Sequence, residues 1–163
     1  MIKIGVIADT HIQKLKYATD FLDHLATGPL QGIDMLFHAG DMVDPDILVM
    51  FDHVPVHAVR GNRDPASAGL EQKKIVTVAS FRIGLMHGWG ACAGLERRLI
   101  QAFSGDNIDC LVYGHTHYPC CRQQQNLLLF NPGSATERRT APYHSVGILR
   151  VEETISGEII RLD

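Results

Sequence analysis

The N-terminal segment of the chain is an almost unbroken apolar run that ends abruptly in polar residues. Residues 2 to 8 contain three isoleucines and a valine, and Asp9-Thr10-His11 follows directly. Such a run predicts a strand buried on both faces of an α/β sheet, and ligands of these sheets bind beyond the carboxyl ends of the strands. Asp9 and His11 are two positions apart, so on extended backbone they point the same way and could share a metal ion. Taken alone, the pattern also fits a turn with an exposed histidine.

Predicted strands and helices alternate in the first half of the chain, and the second half is richer in antiparallel strands. The predicted strands are residues 2–8, 35–39, 54–59, 74–78, 81–86, 110–113, 127–130, 145–151 and 154–161, and the predicted helices are 16–26, 45–52 and 94–103. No repeat, low-complexity tract or linker divides the sequence. We therefore expect one α/β domain over residues 1–163, with two packed sheets flanked by helices.

The composition limits the classes of protein to which the chain can belong. It has 163 residues, of which 45% are hydrophobic and 20% charged, with a formal net charge of -3. These values argue against a protein that binds nucleic acid along an extended groove and against a membrane-surface protein. No apolar segment reaches the roughly 18 residues of a transmembrane helix. We expect no signal peptide, because no basic region precedes the N-terminal apolar run. The four cysteines form no CxxC pair, so we expect free thiols in a cytoplasmic protein.

Five loops at the ends of predicted strands carry side chains that are typical of metal ligands. They contain Asp9 and His11, Asp41 and Asp44, Asn62 and Asp64, His87, and His115 and His117. Turn-forming residues or hydrogen-bonded histidines would explain any one loop, but they do not readily explain why all five fall at the same end of successive strands. Gly114-His115-Thr116-His117 is the most specific element, because its two imidazoles could bind different ions of a pair about 3.5–4 Å apart.

In their order along the chain, these motifs resemble those of the calcineurin-like metallophosphoesterases. The matching segments are Asp9-Thr10-His11, Gly40-Asp41-x-x-Asp44, Gly61-Asn62-Arg63-Asp64, His87-Gly88 and Gly114-His115-Thr116-His117. The short length and the Asn131-Pro132-Gly133-Ser134 segment resemble the small bacterial and archaeal phosphodiesterase branch, which also includes the eukaryotic retromer subunit of the same fold. The resemblance implies a four-layer α/β/β/α sandwich of two mixed β-sheets flanked by helices. It also implies a dinuclear metal site at the carboxyl ends of the strands and a homo-oligomer, either a dimer or a tetramer.

The resemblance assigns seven metal ligands by position. The first ion is bound by Asp9, His11 and His117, the second by Asn62, His87 and His115, and Asp41 bridges the two. A set of carboxylate, imidazole and amide ligands without thiolates suits Mn²⁺, which we favour, with Fe, Zn²⁺, Ni²⁺ or Mg²⁺ as alternatives, and it disfavours Ca²⁺. The implied reaction is hydrolysis of a phosphoester by in-line attack of a metal-bridging hydroxide, while Asn62 stabilises the phosphoryl oxygens.

The third loop departs from the family pattern. At the position of Arg63, many members have a histidine that helps to protonate the leaving oxygen, and an arginine, which keeps its proton at neutral pH, cannot do so. We therefore expect substrates with good leaving groups, or protonation by water. Arg63 either binds a phosphoryl oxygen or forms a solvent-facing salt bridge. Asn62, Arg63 and Asp64 are the predicted catalytic residues, and Asp64 is expected to support the site rather than to bind metal.

Three further residues have predicted roles near these loops. We expect Asp44 to cap the helix that begins at Pro45, and His38 to be a hydrogen-bonded supporting histidine. Trp89 either lines a substrate cleft or packs against neighbouring residues. Cys120 and Cys121 have no assigned role.

The sequence thus predicts a dinuclear metal-dependent phosphoesterase that acts on a small, nucleotide-like phosphoester, with diesters favoured over monoesters. One alternative is a non-catalytic, metal-binding interaction scaffold of the same fold, as in the retromer subunit. The other is a phosphomonoesterase or protein phosphatase of the same superfamily. Every expected ligand type is present, which favours an enzyme over a scaffold.

Overall fold

The computed structural model describes all 163 residues and contains ten strands, two α-helices and three 3₁₀ helices. The strands are β1 (Ile2–Ile7), β2 (Met35–His38), β3 (Val56–Ala58), β4 (Lys73–Val78), β5 (Phe81–Met86), β6 (Cys110–Tyr113), β7 (Cys120–Gln124), β8 (Leu127–Asn131), β9 (Ser145–Val151) and β10 (Ile155–Arg161). The α-helices are α1 (Thr19–Thr27) and α2 (Leu95–Ala102), and the 3₁₀ helices are Leu15–Tyr17, Pro45–Phe51 and Ala66–Ala68. No helix has the length and apolar character needed to cross a membrane.

The strands form two five-stranded mixed sheets. The first has the order β10-β9-β1-β2-β3 and the second the order β4-β5-β6-β8-β7. In the first sheet β1, β2 and β3 are parallel, and in the second β5, β6 and β8 are parallel, while antiparallel strands complete both sheets. Because parallel strands end at the same edge of a sheet, the loops that follow these six strands can meet.

The buried side chains show a four-layer packing. The inner layer joins the facing surfaces of the two sheets and includes Val6 and Phe37 from the first and Val112 and Phe130 from the second. Helix α1 and the 3₁₀ helix Pro45–Phe51 cover the outer face of the first sheet. Helix α2 covers the outer face of the second sheet. The predicted α/β/β/α sandwich with two mixed sheets is therefore confirmed.

Two of the three predicted helices differ in detail from the structure. The predicted helix 16–26 divides into a 3₁₀ turn and α1, and Tyr17, which was expected on its apolar face, is 77% exposed. Residues 45–51 form a 3₁₀ helix rather than an α-helix. The predicted cap is present, since the Asp44 carboxylate accepts a hydrogen bond from the Asp46 N–H at 3.2 Å.

Strand β7 is not predicted from the sequence, and strand β3 is shorter than predicted. Strand β7 lies at the edge of its sheet, and its residues are mostly exposed and polar, so no apolar alternation marks it. Strand β3 covers only Val56–Ala58 of the predicted 54–59. Pro55 lacks the N–H that a longer ladder would need.

The ring of Phe130 lies in the inner layer, against β9 and β10 of the first sheet. The side chain is fully buried, and a Cβ atom built at Gly147 or Gly157 would lie only 2.5 Å or 2.6 Å from the ring. Glycine at these two positions of the first sheet therefore lets a large aromatic side chain of the second sheet approach its backbone.

We expect Phe130→Ala to lower the free energy of unfolding by about 3–5 kcal/mol, because it removes buried apolar area and leaves a cavity. Urea denaturation measures this change. Tyr17→Ala removes an aromatic side chain that is 77% exposed and should change the free energy by no more than about 0.5 kcal/mol. Equal losses in the two variants would contradict this description of the core.

Candidate metal centre

The loops that follow the parallel strands of both sheets meet at one edge of the sandwich. The carboxylate of Asp9, which follows β1, accepts a hydrogen bond from the N–H of His115, which follows β6, at 2.9 Å. The Asp9 N–H in turn donates to the Gly40 carbonyl oxygen after β2 at 2.9 Å. Residues that are distant in sequence therefore meet at one rim of the sandwich.

The three residues predicted to bind the first ion lie together. Asp9 Oδ1 is 3.9 Å from His11 Nε2 and 3.5 Å from His117 Nε2. One ligand atom from each of the three residues lies within 4.8 Å of the other two, so a single cation can contact all three. Asp9 and His117 are fully buried.

A second group contains Asp9, Asp41 and His87. His87 Nε2 is 3.7 Å from Asp9 Oδ1 and 3.3 Å from Asp41 Oδ2. Asp41 Oδ2 also lies 3.5 Å from His11 Nε2. The Asp41 carboxylate is thus located between an imidazole of each predicted ion site, where a bridging ligand would lie, and Asp9 also reaches both groups.

Asn62 and His115 lie beside this second group and outside its compact ligand set. His115 Nδ1 is 3.2 Å from Asn62 Oδ1, and the centroids of the His87 and His115 rings are 5.4 Å apart. The Nε2–H of His115 donates to the Gly90 carbonyl oxygen at 2.7 Å. In the neutral ring Nδ1 therefore carries the lone pair, on the side that faces Asn62.

Four buried atoms at the centre have no hydrogen-bond partner: Asp9 Oδ1 and the Nε2 atoms of His11, His87 and His117. Nδ1 of His87 lies 2.7 Å from the Ala39 carbonyl oxygen, and Nδ1 of His117 contacts the Glu137 carbonyl oxygen. A ring nitrogen that faces a carbonyl oxygen must carry the proton, so in the neutral rings the Nε2 lone pairs point at carboxylate oxygens. Buried lone pairs in this arrangement repel one another unless a cation lies between them, so the donor set fits divalent cations.

The ionisation states favour cation binding as well. Burial alone would raise the pKa of the Asp41 carboxyl, but the His87 imidazole and the Arg63 N–H hold this pKa below its usual value. Burial lowers the pKa of His117, against the attraction of Asp9. Burial would also lower the pKa of His87, but the Asp41 and Asp9 carboxylates raise it above its usual value. The centre therefore attracts positive charge, which a metal ion can supply in place of a proton.

The backbone is strained at five of the seven predicted ligands, because these five residues adopt a positive φ. The angles are 51° at Asp9, 45° at His11, 57° at Asp41, 76° at His115 and 60° at His117. This conformation costs a non-glycine residue about 1–3 kcal/mol and persists only where surrounding contacts hold it. Such strain concentrates at functional sites.

Asp64 holds two of the loops together, as expected of a supporting residue. Its carboxylate accepts hydrogen bonds from the N–H groups of Gly61 at 2.7 Å, Asp41 at 2.8 Å and Val43 at 2.8 Å. A Cβ atom at Gly61 would lie 2.2 Å from Asp41 Oδ1. The close approach of these loops therefore requires glycine at position 61.

Arg63 and His38 lie near the centre in different environments. The Arg63 N–H donates to Asp41 Oδ1 at 2.7 Å, while its guanidinium group is exposed and forms none of the salt bridges of the chain. His38 is buried and hydrogen-bonded to Thr10 Oγ1 at 3.0 Å and the Gly40 N–H at 3.1 Å. Burial lowers the pKa of His38 to about 4, so this neutral side chain supports the loops as expected.

A sixth loop, which follows β8, also contacts the centre, whereas the sequence marks its Asn131-Pro132-Gly133-Ser134 segment only as part of the family resemblance. Ser134 Oγ donates to the Asp9 carbonyl oxygen at 2.7 Å. Glu137 orients two histidines, since its carbonyl oxygen contacts His117 and its Oε2 atom lies 3.5 Å from His11 Nδ1. The position of this loop after a predicted strand could have signalled its role, but nothing in the residue pattern marks Glu137.

Arg98 of α2 was also missed. Its guanidinium group donates to the carbonyl oxygens of Trp89 at 2.8 Å and Ala93 at 3.0 Å, and also to that of Ala91. The same segment, 89–93, contains Gly90, the acceptor for His115. Arg98 thus fixes the loop that orients one predicted ligand, and a single arginine on an amphipathic helix gives no sequence signal of such a role.

Comparison with known proteins identifies one family. Residues 2–154 match the model of the calcineurin-like phosphoesterase superfamily domain. The chain is 36% identical over 163 residues to a protein of Methanothermobacter thermautotrophicus named probable metallophosphoesterase, with 97% of this chain and 91% of that protein covered.

Two solved structures share the fold. One is an archaeal phosphodiesterase, with a TM-score of 0.75, 22% identity, and coverage of 99% of this chain and 100% of that chain. The other is zinc-bound Vps29 from Entamoeba histolytica, with a TM-score of 0.70, 21% identity, and coverage of 99% and 100%. The family model and the relative from Methanothermobacter thermautotrophicus confirm the resemblance found in the sequence: the chain belongs to the calcineurin-like phosphoesterase superfamily.

Proposed function

We propose that the protein is a dinuclear metal-dependent phosphodiesterase. The observation that carries the proposal is the set of four unpartnered buried ligand atoms on Asp9, His11, His87 and His117. Buried polar atoms without partners are rare, and their convergence on one point fits a cation-binding site with a function.

The proposed first ion is held by Asp9, His11 and His117, and the proposed second ion by Asp41 and His87, with Asn62 and His115 at its edge. Bound divalent ions supply Lewis-acid activation and neutralise charge on the phosphoryl group. We favour Mn²⁺ because the ligands are carboxylate, imidazole and amide groups without thiolates.

The residues of the third loop act on the substrate. Asn62 and Arg63 are exposed beside the centre, so the Asn62 amide and the unpaired Arg63 guanidinium group can donate to phosphoryl oxygens. Neither group is an effective general acid at neutral pH. This arrangement favours esters whose leaving group departs without a proton from the protein.

Diesters are favoured over monoesters because the chain resembles the small phosphodiesterase branch and shares its fold with an archaeal phosphodiesterase. The likeness to zinc-bound Vps29 supports a second candidate, a metal-binding scaffold without turnover. The two candidates differ in one measurable property, which is hydrolysis by the metal-loaded protein.

We expect the Mn²⁺-loaded protein to hydrolyse bis(p-nitrophenyl) phosphate faster than the monoester p-nitrophenyl phosphate. Asp41→Ala should lower the diester rate by at least about a hundredfold, because it removes the carboxylate that faces both ion sites. Nitrophenolate absorbance measures the rate. The exposed Asp52→Ala variant should retain full activity. If the metal-loaded protein hydrolyses the diester no faster than Asp41→Ala does, the proposed enzyme is rejected in favour of the non-catalytic scaffold. Faster hydrolysis of the monoester than of the diester would indicate a phosphatase.

The role of Arg63 can be tested by comparing Arg63→Ala with Arg97→Ala, a change of an exposed arginine on α2. A charged hydrogen bond to the phosphoryl group predicts that Arg63→Ala lowers kcat/KM for the diester about ten- to hundredfold. Arg97→Ala should leave kcat/KM unchanged within about twofold. Equal kcat/KM values in Arg63→Ala and the wild type would show that Arg63 does not contact the substrate.

Metal binding can be measured without turnover. A metal ion present at 100 times its Kd stabilises the folded state by about 2.7 kcal/mol, which corresponds to a rise in Tm of about 5–10 °C for a chain of this length. His117→Ala should lose most of this rise, whereas the exposed His24→Ala should keep it. An unchanged metal-induced rise in His117→Ala would remove His117 from the ligand set.

A further inference from the structure

A cavity of about 520 Å³ lies against the metal centre. Asn62, Asp64 and His87 belong to both the centre and the lining of the cavity, and Trp89 lies on another part of the lining. This volume lies in the range of small-molecule sites. A phosphoester whose phosphate lies at the centre can therefore place one of its organic groups in the cavity.

Trp89 offers a flat aromatic surface to this cavity. The side chain is 43% exposed, so of the two roles predicted for it, lining the cleft describes it better than packing. The three hydrogen bonds from Arg98 fix its loop, and the Arg98 guanidinium carbon lies 6.0 Å from the centroid of the indole ring. A large aromatic side chain that is held in place beside a reaction centre is suited to stacking on a planar ligand.

Two polar side chains of the lining are free to bind the edge of such a ligand. Arg60 and Gln72 line the cavity, and neither side chain forms a hydrogen bond or salt bridge within the chain, since the Arg60 bond to the Glu71 carbonyl oxygen is made by its backbone N–H. The Arg60 guanidinium donates, and the Gln72 amide both donates and accepts. Arg60 is half-buried and Gln72 is exposed, so water can pair with both in the absence of a ligand. A nucleobase can replace this water, because it has donors and acceptors along its edge, whereas a phenyl ring or an aliphatic chain cannot.

We propose that this cavity is a subsite for the nucleobase of a nucleoside phosphoester, with the base stacked on Trp89 and its edge bound by Arg60 and Gln72. This inference rests on the proposed function, because the phosphate of the same molecule lies at the metal centre. It adds to the expected nucleotide-like ester the side chains that would bind its base.

Binding can be observed directly because Trp89 is the only tryptophan of the chain. In the Zn²⁺-loaded protein, adenosine 5′-monophosphate should quench the intrinsic fluorescence in a saturable manner. Ribose 5-phosphate has the same phosphate and sugar without the base and should cause little quenching. Equal quenching by the two compounds would overturn the proposal, whether or not the protein hydrolyses any ester.

A kinetic comparison tests the same subsite through turnover. The substrates are 2′,3′-cyclic adenosine monophosphate and glycerol 1,2-cyclic phosphate, which are both five-membered cyclic diesters, but the glycerol ester lacks the base and the ribose ring. Loss of base stacking in Trp89→Ala should lower kcat/KM for the nucleotide about ten- to hundredfold. The same variant should change kcat/KM for the glycerol ester by less than about threefold. Trp89→Phe keeps a flat ring and should restore most of the nucleotide value, and the exposed Tyr17→Ala variant serves as the control.

The outcomes separate the subsite from the proposed function. If the wild type hydrolyses both cyclic diesters and Trp89→Ala lowers both rates equally, the metal centre is a diesterase and the nucleobase subsite is wrong. If no diester is hydrolysed but adenosine 5′-monophosphate still quenches Trp89 more than ribose 5-phosphate, the subsite is supported and the proposed catalysis fails.

Discussion

The site depends on a single carboxylate oxygen, Asp9 Oδ1, which lies 3.5–3.9 Å from three imidazole nitrogens and accepts no hydrogen bond. Buried polar atoms in this arrangement destabilise the folded state unless positive charge compensates them. Carbonyl oxygens of Ala39 and Glu137 orient two of the imidazoles from behind, so these rings are aligned before any ion binds. The fit of this centre to a cation therefore follows from the packing of the chain itself.

The two sheets hold the residues of this arrangement in place. Three parallel strands of each sheet end at one edge of the sandwich, and the hydrogen bonds of Asp64 and Ser134 connect the loops that follow them. The left-handed backbone at Asp9, Asp41 and His117 is unfavourable locally, and it persists because the buried layers on both sides of the sheets hold the strand ends in place. A rigid scaffold under strained loops is a common basis for preorganised catalytic sites.

Much of this architecture could be predicted from the residues alone. Strand β6 was predicted with its observed bounds, Cys110–Tyr113, because a short apolar run between polar turns has few other interpretations. The ligand loops were predicted because carboxylates and imidazoles recur after successive strands. Strand β7 escaped notice because an exposed polar edge carries no periodic signal. The actions of Glu137 and Arg98 also escaped notice, since they operate through backbone carbonyl groups that any sequence contains.

The most direct test of this account is anomalous diffraction from a crystal of the Mn²⁺-loaded protein, recorded at the manganese absorption edge. We predict two peaks, one in contact with Asp9, His11 and His117 and the other in contact with Asp41 and His87. A map without a peak between these side chains, or with His117 turned away from Asp9, would contradict the account.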